Sequence, residues 1–275
     1  MNINGETKII GFLGATFKTS RIYALYNAAF AALHLNFVYI PLPFGDVEKA
    51  VEGIRNMRIA AVGVTVPFKI SILPFLDGLD RQAKRVRAVN VVINDNGKLI
   101  GGNTDGEGGV LALKEKTALG GKGVLLLGAG GAARAIAFSL IDNGADVTIV
   151  NRTVAAAGEL ATSAGCRFDQ LTSLSRHIKN ADILINATTV GMGPNTDKSL
   201  VPKALLRPDL TVLDVVSNPK ETQLVSDARS AGCTVVSADR MLLWQAALKF
   251  KLFTGVEAPI SVMETALKET EAYGR

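Results

Sequence analysis

Lys69 and Asp105 are two side chains whose positions in the sequence suit proton exchange with a substrate. Lys69 ends the run Val64-Thr-Val-Pro-Phe-Lys69, in which a buried strand is predicted to stop at the proline and leave one ammonium at its carboxyl end. Asp105 lies in Asn103-Thr-Asp105, at a predicted junction between a strand and a helix. A lysine and an aspartate in one site can act as general acid and base. Each also has an ordinary interpretation, as a solvated lysine and a helix N-cap, and their spacing does not show that they meet.

A second group of residues is suited to a phosphate-bearing ligand. The run Val124-Leu-Leu-Leu-Gly-Ala-Gly-Gly-Ala132 predicts a strand, a glycine turn and the start of a helix. Gly128, Gly130 and Gly131 lack the Cβ atoms that would keep a pyrophosphate from the backbone N–H groups at the start of that helix. With Ala129 and Ala132 they form the predicted pyrophosphate site, and the alternative is a tight turn without a ligand.

The tripeptide Asn151-Arg152-Thr153 follows the next predicted strand, where the adenosine ribose of a dinucleotide would lie. An acidic residue that would accept a hydrogen bond from a ribose 2′-hydroxyl is absent there. A guanidinium suits a 2′-phosphate, so the sequence predicts NADP rather than NAD. No second basic residue follows within 154–157, so Arg152 is expected to act alone.

The elements that must position these residues are alternating strands and helices, a pattern that predicts parallel βαβ units. Strands are predicted at 8–11, 37–41, 60–65, 88–94 and 98–102, and then at 123–127, 146–150, 183–186, 211–215 and 234–236. Helices are predicted at 22–35, 47–55, 106–116, 132–143, 155–164, 222–231, 238–254 and 260–271.

The predicted fold class is therefore α/β with two domains. Residues 1–103 and 238–275 are predicted to form an N-terminal α/β substrate domain, and residues 104–237 a Rossmann-type NADP-binding domain. Since no strand follows the last two helices, they are predicted to return to the first domain. The turn Asn96-Gly97 predicts a hairpin that closes the first sheet. The cleft between the two domains is the predicted active site.

The composition limits the class of protein and its partners. The chain has 275 residues, 48% of them hydrophobic and 20% charged, which is typical of a soluble α/β protein. A net charge of +5 without long basic runs predicts neither a nucleic-acid nor a membrane partner. Two cysteines and two histidines are too few for a disulfide framework or a zinc site, so no metal is expected. The first ten residues lack the order of a signal peptide, so a cytoplasmic location is expected.

Eight motifs resemble, in their order and spacing, the shikimate dehydrogenase family. They are Gly63-Val-Thr-Val-Pro-Phe-Lys69, Ala88-Val-Asn90, Gly102-Asn-Thr-Asp105, Gly128-Ala-Gly-Gly-Ala132, Asn151-Arg-Thr153, Asn186-Ala-Thr-Thr-Val-Gly-Met192, Asn218-Pro219 and Met241-Leu-Leu-Trp-Gln-Ala246. The resemblance implies reversible NADP-linked oxidation of shikimate to 3-dehydroshikimate, a reaction of chorismate and aromatic amino acid biosynthesis.

The resemblance also implies roles for individual residues. Lys69 and Asp105 would be the acid/base pair, and the substrate would bind Ser20, Thr65, Asn90 and Gln245. Amide side chains suit a polyol because they both donate and accept hydrogen bonds. The cofactor would contact the glycine turn, the Asn151–Thr153 tripeptide and Thr188, Val216 and Met241, with Gly191 and Met192 beside the nicotinamide.

Three departures from the family pattern concern the substrate pocket and the last motif. The family's His-Ser-x-Ser-Pro stretch, which binds the substrate carboxylate, reads Thr19-Ser-Arg-Ile-Tyr23 here, so only Ser20 is retained. The family's tyrosine before Asn-Pro is Ser217, and its glycines before Met-Leu are Asp239 and Arg240.

The altered pocket leaves several interpretations open. Arg21 or Tyr23 could replace the lost serine hydroxyl, or the substrate could be quinate or another ring hydroxy acid. Other hypotheses are an NADP-binding sensor of weak activity and a folate-type methylene dehydrogenase of similar layout. The Lys69 and Asp105 motifs argue against both. The residues leave the oligomeric state open, including a homodimer.

Overall fold

A computed structural model describes residues 3–15 and 20–272 of the chain. The chain divides into two compact units. The first comprises the residues up to Thr104 together with the chain from Gln245 onward, and the second runs from Asp105 to Trp244.

The first unit contains a six-stranded sheet with helices packed against it. Its strands are β1 (Lys8–Leu13), β2 (Phe37–Leu42), β3 (Ala61–Val64), β4 (Gly78–Leu79), β5 (Val91–Asp95) and β6 (Lys98–Gly102), and its helices before Thr104 are α1 (Ile22–Ala32), α2 (Val47–Asn56), α3 (Phe68–Ser71) and α4 (Arg81–Val86). The strand order is β2-β1-β3-β5-β6-β4. β5 runs antiparallel to both neighbours, so the sheet is mixed rather than wholly parallel.

The predicted hairpin at Asn96-Gly97 is confirmed. Asn96 and Gly97 have φ of 51° and 93°, as a two-residue hairpin turn requires, and the N–H of Gly97 donates to Asn94 Oδ1 at 2.8 Å. The prediction that this hairpin closes the sheet is wrong, because β4 pairs with the outer edge of β6. β4 has only two residues, too few to show a hydrophobic period, and the N–H of Asp80 secures it by donating to Gly101 O at 2.8 Å.

The second unit alternates strands with helices. Its elements are α5 (Asp105–Lys114), β7 (Gly123–Leu127), α6 (Gly131–Asp142), β8 (Asp146–Asn151), α7 (Val154–Ala164), β9 (Arg167–Gln170), α8 (Leu174–Ile178), β10 (Ile183–Asn186), β11 (Thr211–Asp214), α9 (Gln223–Ser230) and β12 (Thr234–Val236). The six strands are parallel, in the order β12-β11-β10-β7-β8-β9. This is the doubly wound Rossmann order, in which the chain reverses direction across the sheet between β7 and β10.

Both faces of this sheet are buried, which explains the continuous apolar runs of its strands. Along β7, Val124 and Leu126 join one core while Leu125 and Leu127 join the other. The sequence did not predict β9, whose polar segment Arg167–Gln170 forms the edge of the sheet and buries little.

Two helices close the chain, α10 (Ala238–Thr254) and α11 (Ile260–Ala272), and α11 packs against α1 within the first unit. The boundary between the units falls inside α10, whereas the sequence analysis assigned this helix entirely to the substrate domain. Met241 joins the core of the second unit, and Trp244 Nε1 donates to Glu115 Oε1 of that unit at 2.7 Å. Arg240, which replaces a family glycine, forms an ion pair with Glu115. No described helix is long and apolar enough to cross a membrane.

Candidate active site

A cavity of about 480 Å³ opens in the second unit at the carboxyl ends of β7, β8 and β10. This is where ligands bind in doubly wound sheets. The lining residues are Gly128, Ala129, Gly130, Val150, Asn151, Arg152, Thr153, Ala156, Leu171, Ala187, Thr188, Thr189, Val190 and Leu200. Within this described set Arg152 alone carries a charge, so the cavity is suited to an anionic ligand.

The glycines of the turn are needed for different structural reasons. Gly128 has φ of +110°, and a Cβ there would lie 2.8 Å from the carbonyl oxygen of Ala187. Gly128 is therefore required by backbone packing. At Gly130 and Gly131 an added Cβ would meet no atom within 4 Å. The space beside the start of α6 is thus open to a ligand, as a phosphate site needs, and the first N–H groups of a helix lack partners within it.

The tripeptide after β8 also lines this cavity. The side-chain amide of Asn151 donates to the carbonyl of Thr153 at 3.1 Å and so shapes the turn. Arg152 is exposed, so its guanidinium is accessible to a phosphate. These residues and the open glycine turn fit a dinucleotide with a 2′-phosphate.

Six predicted cofactor residues are not among those that line the cavity, and they include Gly191 and Met192. Gly131 and Ala132 are in the first turn of α6. Val216 is buried, and its N–H donates to Asp214 Oδ1 at 3.1 Å. Met241 is buried in the core of the second unit. Their roles toward the cofactor stay predictions.

In the first unit, the polar cluster is organised by Asn90, which is 0% exposed. Its Oδ1 accepts from the N–H of Thr104 at 2.9 Å, and its Nδ2 donates to Thr104 Oγ1 at 3.1 Å. Asn90 Nδ2 also reaches Gln245 Oε1 at 3.5 Å. The hydroxyl of Thr104 donates to the backbone carbonyl of Gln245 at 3.2 Å. Asn90 and Gln245, predicted from distant motifs, therefore lie together.

Lys69 and Thr65 are tied to the same region by their backbones. The N–H of Val89 donates to the carbonyl of Lys69 at 2.8 Å, and the N–H of Val64 donates to the carbonyl of Asn90 at 2.9 Å. The sequence predicts that Lys69 directly follows a strand, and this prediction is wrong. β3 ends at Val64, and Lys69 lies in the short helix α3 and is half-buried.

Asp105 is buried, 5% exposed, and is the first residue of α5. It immediately follows Thr104, whose hydrogen bonds to Asn90 and Gln245 fix the backbone at that point. Asp105 thus places its carboxyl group in the first turn of α5, the end of a helix where the dipole favours negative charge.

Ser20 stands just before α1, where its Oγ accepts from the N–H of Ile22 at 3.4 Å. Ile22, which replaces the second serine of the family pattern, is buried, while Arg21 and Tyr23 are half-buried. Tyr23 packs edge-on against Phe12, and burial raises the pKa of Tyr23 to about 12, so its hydroxyl is neutral near pH 7. Thr19 lies outside the described residues.

Sequence reasoning did not identify Thr104, Thr189 or Val190 as site residues. All three lie inside quoted motifs, Gly102–Asp105 and Asn186–Met192. The motifs were therefore the available signal, but they could not show which members point into the site.

Three family models match the chain. They are the shikimate dehydrogenase substrate binding domain over residues 12–92, shikimate / quinate 5-dehydrogenase over residues 110–230, and the shikimate 5'-dehydrogenase C-terminal domain over residues 240–268.

Individual proteins that are similar to this chain are also shikimate dehydrogenases. The chain is 42% identical over 262 residues to a shikimate dehydrogenase (NADP(+)) of Pyrococcus furiosus, covering 95% of each sequence. It is 41% identical over 283 residues to that of Methanopyrus kandleri, covering 98% of each. A crystal structure of a shikimate dehydrogenase in complex with NADP+ matches with a TM-score of 0.90 and 37% identity, covering 98% of this chain and 97% of that one.

Proposed function

This chain belongs to the shikimate dehydrogenase family, and from this membership we propose that it catalyses the reversible NADP-dependent oxidation of shikimate to 3-dehydroshikimate. The reaction serves the biosynthesis of chorismate and aromatic amino acids. The observation that supports it most is the buried amide of Asn90, which joins Thr104, immediately before Asp105, to Gln245 in one hydrogen-bonded cluster.

The mechanism assigns a task to each polar side chain. When bound, NADP supplies the hydride acceptor. The substrate hydroxyl must lose its proton as the carbonyl forms, and the pair of Lys69 and Asp105 takes up that proton as the general base. Asn90 and Gln245 orient the ring hydroxyls, since each amide both donates and accepts, and Thr65 adds a hydroxyl.

The substrate carboxylate is the part of the proposal with the least support from the family pattern. Ser20 keeps a hydroxyl near the start of α1, and the half-buried Arg21 and Tyr23 offer a guanidinium and a neutral hydroxyl. The buried Ile22 offers no polar group. This apolar replacement favours a second candidate, a family member that oxidises quinate or another ring hydroxy acid.

Initial rates separate the two candidates. Purified protein is assayed with shikimate, quinate and an aminoshikimate, each with NADP and with NAD. For the first candidate we expect kcat/KM of about 10⁴ M⁻¹s⁻¹ or more with shikimate and NADP. A better rate with another ring acid supports the second candidate, and no oxidation of any ring acid contradicts both.

Substitution of the two glycines should separate folding from cofactor binding. Gly128→Ala is expected to lower the free energy of unfolding by about 1–3 kcal/mol, because its φ is +110° and the new Cβ meets the Ala187 carbonyl. A Cβ at Gly130 has open space around it, so Gly130→Ala is expected to keep the wild-type free energy of unfolding. The same variant is expected to bind NADP roughly tenfold more weakly, because the new Cβ enters the pyrophosphate site. Urea denaturation and NADPH titration measure the two effects. Equal NADP affinity of Gly130→Ala and wild type would contradict the site.

Arg152 is expected to set the cofactor preference. Arg152→Asp should lower the ratio of kcat/KM with NADP to that with NAD by about a hundredfold, since a charge-assisted hydrogen bond worth ~1.5–3 kcal/mol is replaced by repulsion. Lys203→Asp, an exposed charge reversal outside the cavity, is the matched control and should leave the ratio unchanged. An unchanged ratio in Arg152→Asp would contradict the assignment of NADP to this tripeptide.

We further propose that the enzyme works in the cytoplasm, because it draws on the NADP pool and because Cys166 and Cys233 are free thiols. Its partner is a small-molecule substrate rather than a nucleic acid or a membrane.

A further inference from the structure

Asp214 is a buried carboxylate, 1% exposed, that no step of the mechanism above uses. It ends β11, and both of its oxygens accept hydrogen bonds. Oδ1 accepts from Asn186 Nδ2 at 3.0 Å and from the N–H of Val216 at 3.1 Å. Oδ2 accepts from Thr222 Oγ1 at 2.6 Å. These donors are satisfied only if both carboxyl oxygens of Asp214 accept hydrogen bonds.

The orientation of Thr222 is equally constrained. Its Oγ1 accepts from the N–H of Val225 at 3.3 Å as the cap of α9, so its proton is available to Asp214. Burial raises the pKa of the Asp214 carboxyl, and its three donors act in the opposite direction. Thr222 also packs beside Gly191, where an added Cβ would lie 3.3 Å from Thr222 Cβ.

Asn186 carries this constraint to the cavity wall. With its Nδ2 directed to Asp214 and to the carbonyl of Val190 at 3.2 Å, its Oδ1 is left to accept from Thr188. The hydroxyl and the N–H of Thr188 donate to that oxygen at 2.7 Å and 3.2 Å. The N–H of Val190 donates in turn to Thr188 Oγ1 at 3.1 Å. Thr188 and Val190 both line the cavity.

We propose that Asp214 is a positioning residue for the cofactor, holding the Thr188–Val190 wall through Asn186 and being held in turn by Thr222. This inference rests on the proposed NADP site. In Asp214→Asn, the new N–H₂ group would face one of the three existing donors, so that hydrogen bond would be lost. The variant would also lack the negative charge that orients the amide of Asn186. The residues Thr188–Val190 would then no longer be held in one conformation, whereas Lys69, Asn90 and Gln245 belong to the other unit.

The sharpest test compares Thr222→Val with Thr222→Ser. Valine keeps the shape of the side chain and removes the hydroxyl, whereas serine keeps the hydroxyl. We expect Thr222→Val to raise the Kd for NADPH roughly tenfold, as measured by the fluorescence of NADPH bound to the full-length protein, and Thr222→Ser to stay within about twofold of wild type. At saturating NADP, kcat and the KM for the ring substrate should be unchanged.

Asp214→Asn should raise the same Kd by a similar factor or more, and Thr222→Val decides the question if Asp214→Asn does not fold. Thr211→Ala is the matched control, since Thr211 is buried at the opposite end of the same strand and should lose stability without losing affinity. Wild-type affinity in both Thr222→Val and Asp214→Asn overturns the inference, as does an equal loss of affinity in Thr211→Ala. Failure of the wild-type protein to bind NADPH overturns the proposed function instead.

Discussion

Replacing Lys69 by alanine is expected to lower kcat for ring-hydroxyl oxidation by about 10²–10⁴-fold, the usual contribution of a positioned acid/base group. The Kd for NADPH should not change, because Lys69 is not among the residues that line the cofactor cavity. Lys69 is half-buried, and its carbonyl accepts a hydrogen bond from the N–H of Val89 at 2.8 Å. The backbone of Lys69 is therefore hydrogen-bonded to the segment that contains Asn90. The loss should therefore fall on the chemical step. Stopped-flow NADPH formation and NADPH titration measure the two quantities.

Two controls make this result specific. Lys84→Ala removes an exposed lysine from α4 in the same unit and should leave kcat within about twofold. Small primary amines added to Lys69→Ala should restore part of the rate if the missing group is a proton acceptor. A Lys69→Ala protein with full activity would show that another group takes the hydroxyl proton.

The second unit was the easier of the two to predict from the sequence. Its central strands are buried on both faces, so each is a continuous apolar run such as Gly123–Leu127, and turn residues mark its ends. The polar edge strand β9 has no such signal and was missed. In the first unit, the mixed topology depends on β4, a two-residue strand whose pairing comes from the tertiary structure.

In the candidate site, local motifs could be predicted from the sequence, but contacts between distant residues could not. The glycine turn and Asn151–Thr153 are local motifs, and both line one cavity. The cluster of Asn90, Thr104 and Gln245 joins residues far apart in sequence, and no spacing could show its hydrogen bonds. Lys69 was placed after a strand because its run reads as apolar through Phe68, yet the chain turns into α3 after Pro67. Asp214 was overlooked because it lies inside the predicted strand 211–215, and its partners Asn186 and Thr222 are known only from the folded structure.

Asp105→Asn is expected to lower kcat by about 10²-fold or more and to leave the overall fold intact. The amide has the shape of the carboxylate, so the buried start of α5 remains filled, but the group can no longer accept a proton or stabilise a cationic partner. The adjacent Thr104 keeps its hydrogen bonds to Asn90 and Gln245, so the KM for the ring substrate should change far less than kcat. Steady-state kinetics give both constants, and thermal denaturation verifies the fold.

Glu107→Gln is the matched control for this variant, because it removes the same charge from the same first turn of α5. Any effect of the helix dipole alone would appear in both, at about 0.3–1 kcal/mol of stability, while the loss of kcat should appear only in Asp105→Asn. If Lys69 and Asp105 serve one proton transfer, the double variant Lys69→Ala with Asp105→Asn should be little slower than the slower single variant. Additive losses would mean that the two residues act in separate steps, and full activity of Asp105→Asn would leave Asp105 as a helix N-terminal residue with no part in the chemistry.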